Sequence, residues 1–131
     1  MRILVMDDED HIRELAQEML STLGQEVDVA AHGEEAVRKY RQAADAGRPF
    51  DAVILDYTIR GGMGGAESIK LLREVDPGVK AVVSSGYLDD TTLMNHRRSG
   101  FIGFLKKPYD IEELRKTLKE LHDGVRPLDE P

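Results

Sequence analysis

The chain predicts an α/β fold with a mostly parallel sheet. Segments of strand and helix character alternate along its whole length. Short apolar runs such as Ala52-Val53-Ile54-Leu55 have the length and composition of buried strands. Several of these runs end abruptly in a charged residue, a pattern expected where strands end at a ligand site outside their carboxyl ends.

Residues 3–6 read as the first strand. Ile12, Leu15, Ala16, Met19, Leu20 and Leu23 follow at helical spacing, and Gly24 stands where a glycine would end that helix. Glu26-Val27-Asp28-Val29-Ala30 alternates polar and apolar, which predicts a strand buried on one face at the sheet edge. A second helix runs from about Glu34 to near Gly47 and Pro49. Residues 52–55 are continuously apolar, as a central parallel strand requires. Arg60-Gly61-Gly62-Met63-Gly64-Gly65 is expected to be a flexible loop. A third helix carries Ile69, Leu72 and Val75, and Asp76-Pro77-Gly78 turns the chain into a fourth strand over residues 79–84. The fourth helix, residues 91–98, has only two clearly apolar residues and mediocre helix formers. It reads either as a short surface helix or as an element that opens readily. Residues 102–105 form the fifth strand. Asp110 and Glu113 then open the last helix as a capping box, with Ile111, Leu114, Leu118 and Leu121 as its buried stripe. The one-sided second strand and the strict alternation predict a doubly wound sheet of five strands in order 2-1-3-4-5. Residues 1–122 form one domain, and residues 123–131 form a flexible tail with two prolines.

Composition narrows the function. With 131 residues there is room for one domain. No cysteine is present, which excludes disulfides and thiolate metal sites. No apolar stretch approaches the ~20 residues that cross a bilayer, and no signal peptide precedes the first strand, so a cytoplasmic location without membrane contact is the expectation. The formal net charge of −7 argues against a nucleic-acid partner.

Three separated segments converge in such a sheet: Met6-Asp7-Asp8-Glu9, Val53-Ile54-Leu55-Asp56 and Leu105-Lys106-Lys107-Pro108. Clustered carboxylates repel one another and call for a cation. All-oxygen ligation suits Mg²⁺, and a nearby lysine suits a phosphoryl oxygen. Each residue also has a plainer role. Asp7 and Asp8 can be solvated loop carboxylates or helix caps, Asp56 can cap the following loop, and Lys107 can be a surface lysine like Lys106. An acid closing a wholly apolar strand is costly to place there without a role. His11, His32, His96 and His122 show no metal-ligand spacing and are expected at the surface.

Together these motifs, in order and over nearly the whole chain, resemble the receiver domain of two-component response regulators. The resemblance implies that Asp56 accepts a phosphoryl group from a histidine kinase or histidine phosphotransfer domain. It implies Mg²⁺ at Asp7, Asp8, Asp56 and the backbone carbonyl of Thr58, with Lys107 pairing a phosphoryl oxygen. Ser85, within Val82-Val83-Ser84-Ser85-Gly86, matches the switch hydroxyl, and Phe104 matches the aromatic switch position. Ser85 can equally cap a turn, and Phe104 can be plain core. The resemblance also implies a cis Lys107–Pro108 bond and an output to a downstream effector or to the chain's own kinase core.

The sequence departs from the family pattern at three places. Arg60 replaces the usual proline four residues after the phosphoacceptor. The glycine-rich loop is one residue longer than the commonest version. Phe104 replaces a commoner tyrosine and so lacks a phenolic hydroxyl. The longer loop, with Ser-Ser-Gly-Tyr later, looks like receivers of hybrid sensor histidine kinases, which predicts a domain excised from a longer chain. Thr58 and Tyr87, flanking the path of an attacking water, predict a long-lived acyl phosphate. Three other functions compete with this one. A flavodoxin-like carrier needs a phosphate-binding loop where Asp7-Asp8-Glu9-Asp10 stands. A Mg²⁺-dependent aspartyl-phosphate phosphatase needs a second acid where Thr58 stands. The third is a receiver that is never phosphorylated and serves as an interaction module.

Overall fold

In a computed structural model, residues 1–86 and 89–123 are described. The roles expected of Tyr87 and of the tail beyond Asp123 lie outside them. Ten elements alternate: β1 (Arg2–Met6), α1 (Asp10–Thr22), β2 (Glu26–Ala30), α2 (Gly33–Asp45), β3 (Ala52–Asp56), α3 (Gly65–Val75), β4 (Ala81–Ser85), α4 (Asp90–Ser99), β5 (Gly103–Lys106) and α5 (Ile111–Asp123). The five strands form one parallel sheet in the order β2-β1-β3-β4-β5, as predicted.

Period-two alternation divides each inner strand between two cores. Leu4, Met6, Val53, Leu55 and Val83 face Tyr40, Ile69, Leu72 and Phe101 on one side. Ile3, Val5, Ile54, Val82 and Leu105 face Ala16, Leu20, Leu114 and Leu118 on the other. Helices cover both faces, so the inner strands are apolar throughout, whereas β2 at the edge alternates.

Local signals set the ends of the elements. Gly24 takes φ 81° just past α1, the left-handed turn that glycine enters most easily. Asp110 and Glu113 exchange reciprocal bonds, Glu113 N–H to Asp110 Oδ1 at 2.9 Å and Asp110 N–H to Glu113 Oε1 at 3.4 Å. The fourth strand starts later than expected, at Ala81, because Val79 N–H still bonds Asp76 O in the turn. Leu15, placed in the apolar stripe of α1, is 47% exposed. The fourth helix spans ten residues, with Asp89 capping Thr92 N–H and Gly100 at φ 111° after its end.

The glycine-rich loop is held, not free. Gly33 N–H donates to Met63 O at 2.7 Å, and Met63 N–H donates to Glu34 Oε1 at 3.0 Å. These bonds tie the loop to the N-terminus of α2. Close approach explains the glycines: a Cβ on Gly33 would lie 2.1 Å from Ser68 Oγ, and one on Gly65 would lie 2.9 Å from Asp56 O.

Candidate functional site

Strand register aligns the carboxyl ends. Met6 pairs with Leu55, Asp56 with Ser84, and Ser85 with Lys106. Asp7 and Asp8 follow β1, Asp56 closes β3, Ser85 closes β4, and Lys107 follows β5. Backbone bonds extend the ladder one step further: Asp7 N–H to Ala30 O, Tyr57 N–H to Ser84 O and Lys107 N–H to Ser85 O, at 3.0, 3.0 and 2.8 Å. The chain therefore delivers four charged side chains to one end of the sheet from rigid strands.

Carboxylate oxygens of Asp7, Asp8 and Asp56 lie within 4.8 Å of one another. Lys107 Nζ stands 2.6 Å from Asp7 Oδ2 and 3.1 Å from Asp56 Oδ2. Asp7 and Asp56 are 1% and 6% exposed, and Asp8 is partly exposed. Burial first, and then the charge of Asp7, push the Asp56 carboxyl up to about 6, despite the opposing pull of Lys107. Burial works against the charge on Lys107, but its hydrogen bonds and its attraction to Asp7 and Asp56 win, so its pKa rises. One ammonium thus does not balance the carboxylates around it. A crowded, all-oxygen donor set that is short of positive charge fits Mg²⁺.

Every predicted site residue except Thr58 and Phe104 borders this cleft directly through the side chains just described or through strand register. Thr58 lies two residues beyond Asp56 and is exposed. Phe104 sits on β5, partly buried against the core beneath α2 and α3. The Lys107–Pro108 peptide bond is cis, as predicted.

Three contributors were not foreseen. Arg13 donates from Nη1 to Asp7 O at 2.7 Å and also bonds Asp10, bracing the acidic loop from α1. A basic residue one turn into the helix after an acidic loop is the sequence signal for it. Arg60 N–H lies 3.4 Å from Asp8 Oδ2, so the position that departs from the family pattern meets the acidic pocket through its backbone. The third corrects an expectation: His96 is buried, 1% exposed, and packs its ring against Tyr57, next to Asp56. Its apolar surroundings come from the loop after β3 and from β5, which a reading of α4 alone does not see. His32 likewise has a structural task, its Nδ1 accepting from Glu35 N–H to cap α2, while His11 and His122 are exposed as expected.

The comparisons agree with this geometry. Residues 3–119 match the family model of the response regulator receiver domain. A response regulator receiver protein of Anaeromyxobacter is 34% identical over 113 residues, 86% of this chain and 45% of that protein. The chain therefore spans less than half the length of that relative. Chemotaxis protein CheY4 of Vibrio cholerae superposes with TM-score 0.82 at 29% identity, over 92% of this chain and 97% of that one. The receiver domain from the hybrid histidine kinase CckA superposes with TM-score 0.73 at 31% identity, over 92% of this chain and 98% of that one. Receiver domains bind Mg²⁺ at an acidic pocket and interact with histidine kinases or phosphotransfer proteins. Among the described residues no helix is long and apolar enough to cross a membrane. Fold, family model and relatives converge: the chain belongs to the response regulator receiver domain family of two-component signalling.

Proposed function

We propose that Asp56 is the phosphoacceptor of a cytoplasmic phosphorelay, taking its phosphoryl group from a phosphohistidine on a histidine kinase or phosphotransfer domain. The observation that carries this reading is the Asp56 carboxylate itself, buried at the end of an apolar strand within 3.1 Å of the Lys107 ammonium. A carboxylate oxygen of Asp56 attacks phosphorus, the P–N bond to the donor histidine breaks, and its electron pair leaves with the imidazole. Such a transfer needs mainly positioning and charge stabilisation. Lys107, already at hydrogen-bond distance from Asp56, turns to a phosphoryl oxygen as that charge arrives. Asp7, Asp8, Asp56 and the Thr58 carbonyl would be the donors that hold Mg²⁺, which when bound would neutralise charge on the transferring group. Arg13 and the Arg60 backbone amide hold the two acids of the first loop in place. Ser85 donates its hydroxyl to a phosphoryl oxygen, and Phe104 re-packs in response.

Incubation with a small acyl-phosphate donor and Mg²⁺ tests this reading. The mass of one phosphoryl group should appear on the peptide containing Asp56 and be absent in Asp56→Asn. Labelling at another residue, or equal labelling of the variant, would refute the assignment.

A further inference from the structure

Helix α4 is held mainly by its ends. At the start, the Asp89 carboxylate accepts from Thr92 N–H and from Thr92 Oγ1, both at 2.7 Å. At the finish, Phe101 N–H bonds His96 O at 3.1 Å, and Arg73 Nη1 reaches Ser99 O at 3.3 Å. Among its described side chains only His96 is buried, and Met94 is 55% exposed. In the middle of the helix the imidazole is thus the one buried described side chain, with Leu93, one turn earlier, partly buried.

That imidazole lies in an aromatic nest. Its ring centroid is 4.4 Å from Tyr57 at 66°, 5.8 Å from Phe101 at 85° and 6.0 Å from Phe104 at 34°. Its Nε2 is buried without a hydrogen-bond partner among the described residues. Burial also holds its pKa below the ordinary histidine value, which keeps the ring neutral. A buried polar atom left unpaired raises the energy of the arrangement that contains it. The walls of the nest differ. Tyr57, next to Asp56, is pinned by its own N–H to Ser84 O and by Gly65 N–H to its carbonyl. Phe101 is buried. Phe104 on β5 is partly buried, and Tyr57 is 36% exposed.

We propose that His96 is a positioning residue that keeps α4 in a placement of raised energy, so that movement of Phe104 releases the helix to a second placement in which Nε2 is hydrogen-bonded. This inference rests on Asp56 being the phosphoacceptor only for what moves Phe104. The energetic bias on α4 is a property of the unphosphorylated domain. Phe104 has no hydroxyl to offer, so the polar group of this face is supplied by the helix instead of the strand. A two-state shift needs a group whose interactions differ between the states, and Nε2 is such a group.

The test is amide exchange across α4 in the wild type, His96→Leu, His96→Phe and His96→Gln, with and without beryllofluoride and Mg²⁺ as an acyl-phosphate mimic. Without the mimic, both apolar variants should slow exchange in α4 about tenfold, the scale of relieving one unpaired buried group. With it, their α4 response should fall about tenfold relative to wild type, while His96→Gln, which keeps a polar atom, should respond as wild type does. Exchange in α1 should be the same in all four proteins. Unchanged or faster α4 exchange in both apolar variants without the mimic would overturn the proposal. A wild type that takes up neither mimic nor phosphoryl group would overturn the phosphoacceptor reading, and the exchange rates without mimic would still decide the role of His96.

Discussion

Asp56→Asn should make the metal-free domain more stable at pH 7. At that pH the wild-type carboxylate is ionised inside a pocket that disfavours its charge. The gap between about 6 and the ordinary value of 3.8 corresponds to about 3 kcal/mol of folding free energy. The cleft opens to solvent past Lys107, so the gain should be smaller, ~1–3 kcal/mol. The pull of Lys107 is already contained in that gap, and in the variant Lys107 keeps Asp7 at 2.6 Å. The sign follows from linkage. A carboxyl whose pKa is raised by folding contributes stability that is present in full below pH 3.8 and is lost as pH rises through about 6. The advantage of Asp56→Asn should therefore be largest at pH 7 and close to zero at pH 4. Urea unfolding of both proteins at each pH, with a chelator present, measures it, and a thermal scan should show roughly 3–5 °C per kcal/mol. Millimolar Mg²⁺ should narrow the gap by stabilising the wild type. A variant no more stable than wild type at pH 7, or an advantage independent of pH, would refute the reasoning.

Removing the ammonium should act the other way. Lys107→Ala leaves Asp7 and Asp56 without their shared partner and should cost ~2 kcal/mol or more at pH 7, with much of the loss recovered on acidification, as denaturant midpoints at pH 5 and 7 would show. Phosphoryl uptake by the wild type should fall on acidification as Asp56 takes up a proton, with a midpoint below the metal-free value of about 6 because bound Mg²⁺ favours the carboxylate. Initial labelling rates that do not fall as the pH is lowered would contradict that assignment. Gly33→Ala should destabilise by about 1–3 kcal/mol, because its Cβ would meet Ser68 Oγ and the Met63 carbonyl, and an unchanged urea midpoint would show that the close approach is not real. Tyr40→Phe removes a phenol that donates to Asp76 Oδ2 at 2.7 Å and should cost ~1 kcal/mol in the same assay, with no effect on labelling of Asp56.

The strands were legible because their signal is local. An apolar run buried on both faces announces itself, and the charged residue that ends it marks the rim where the site lies. Asp7, Asp8, Asp56 and Lys107 could be found this way, since each sits at the exit of a strand whose register follows from the fold. The capping box of Asp110 and Glu113 was legible for the same reason. What escaped depends on neighbours distant in sequence. His96 reads as a surface residue on α4, yet the placement of Gly100 and Phe101 turns it toward Tyr57 and leaves Met94 in solvent. The glycine-rich loop reads as a flexible tether, yet Gly33 and Glu34, some thirty residues earlier, hold it down through Met63. Leu15 fits the apolar period of α1 but falls at the margin of the face that α5 and the sheet cover.

The sharing of Lys107 between two acids sets an order of events. Asp7, Asp8 and Asp56 carry three negative charges when ionised and Lys107 carries one positive, which leaves the cleft at minus two. A phosphorylated donor is itself an anion, so these side chains alone turn it away at close range, and the low dielectric of a buried site sharpens the repulsion. A divalent cation cancels that deficit and frees the ammonium to greet the incoming group. If Asp56 is the phosphoacceptor, charge alone would make the domain refractory to stray phosphoryl donors until a divalent cation is seated, and the resting ion pair would enforce the queue.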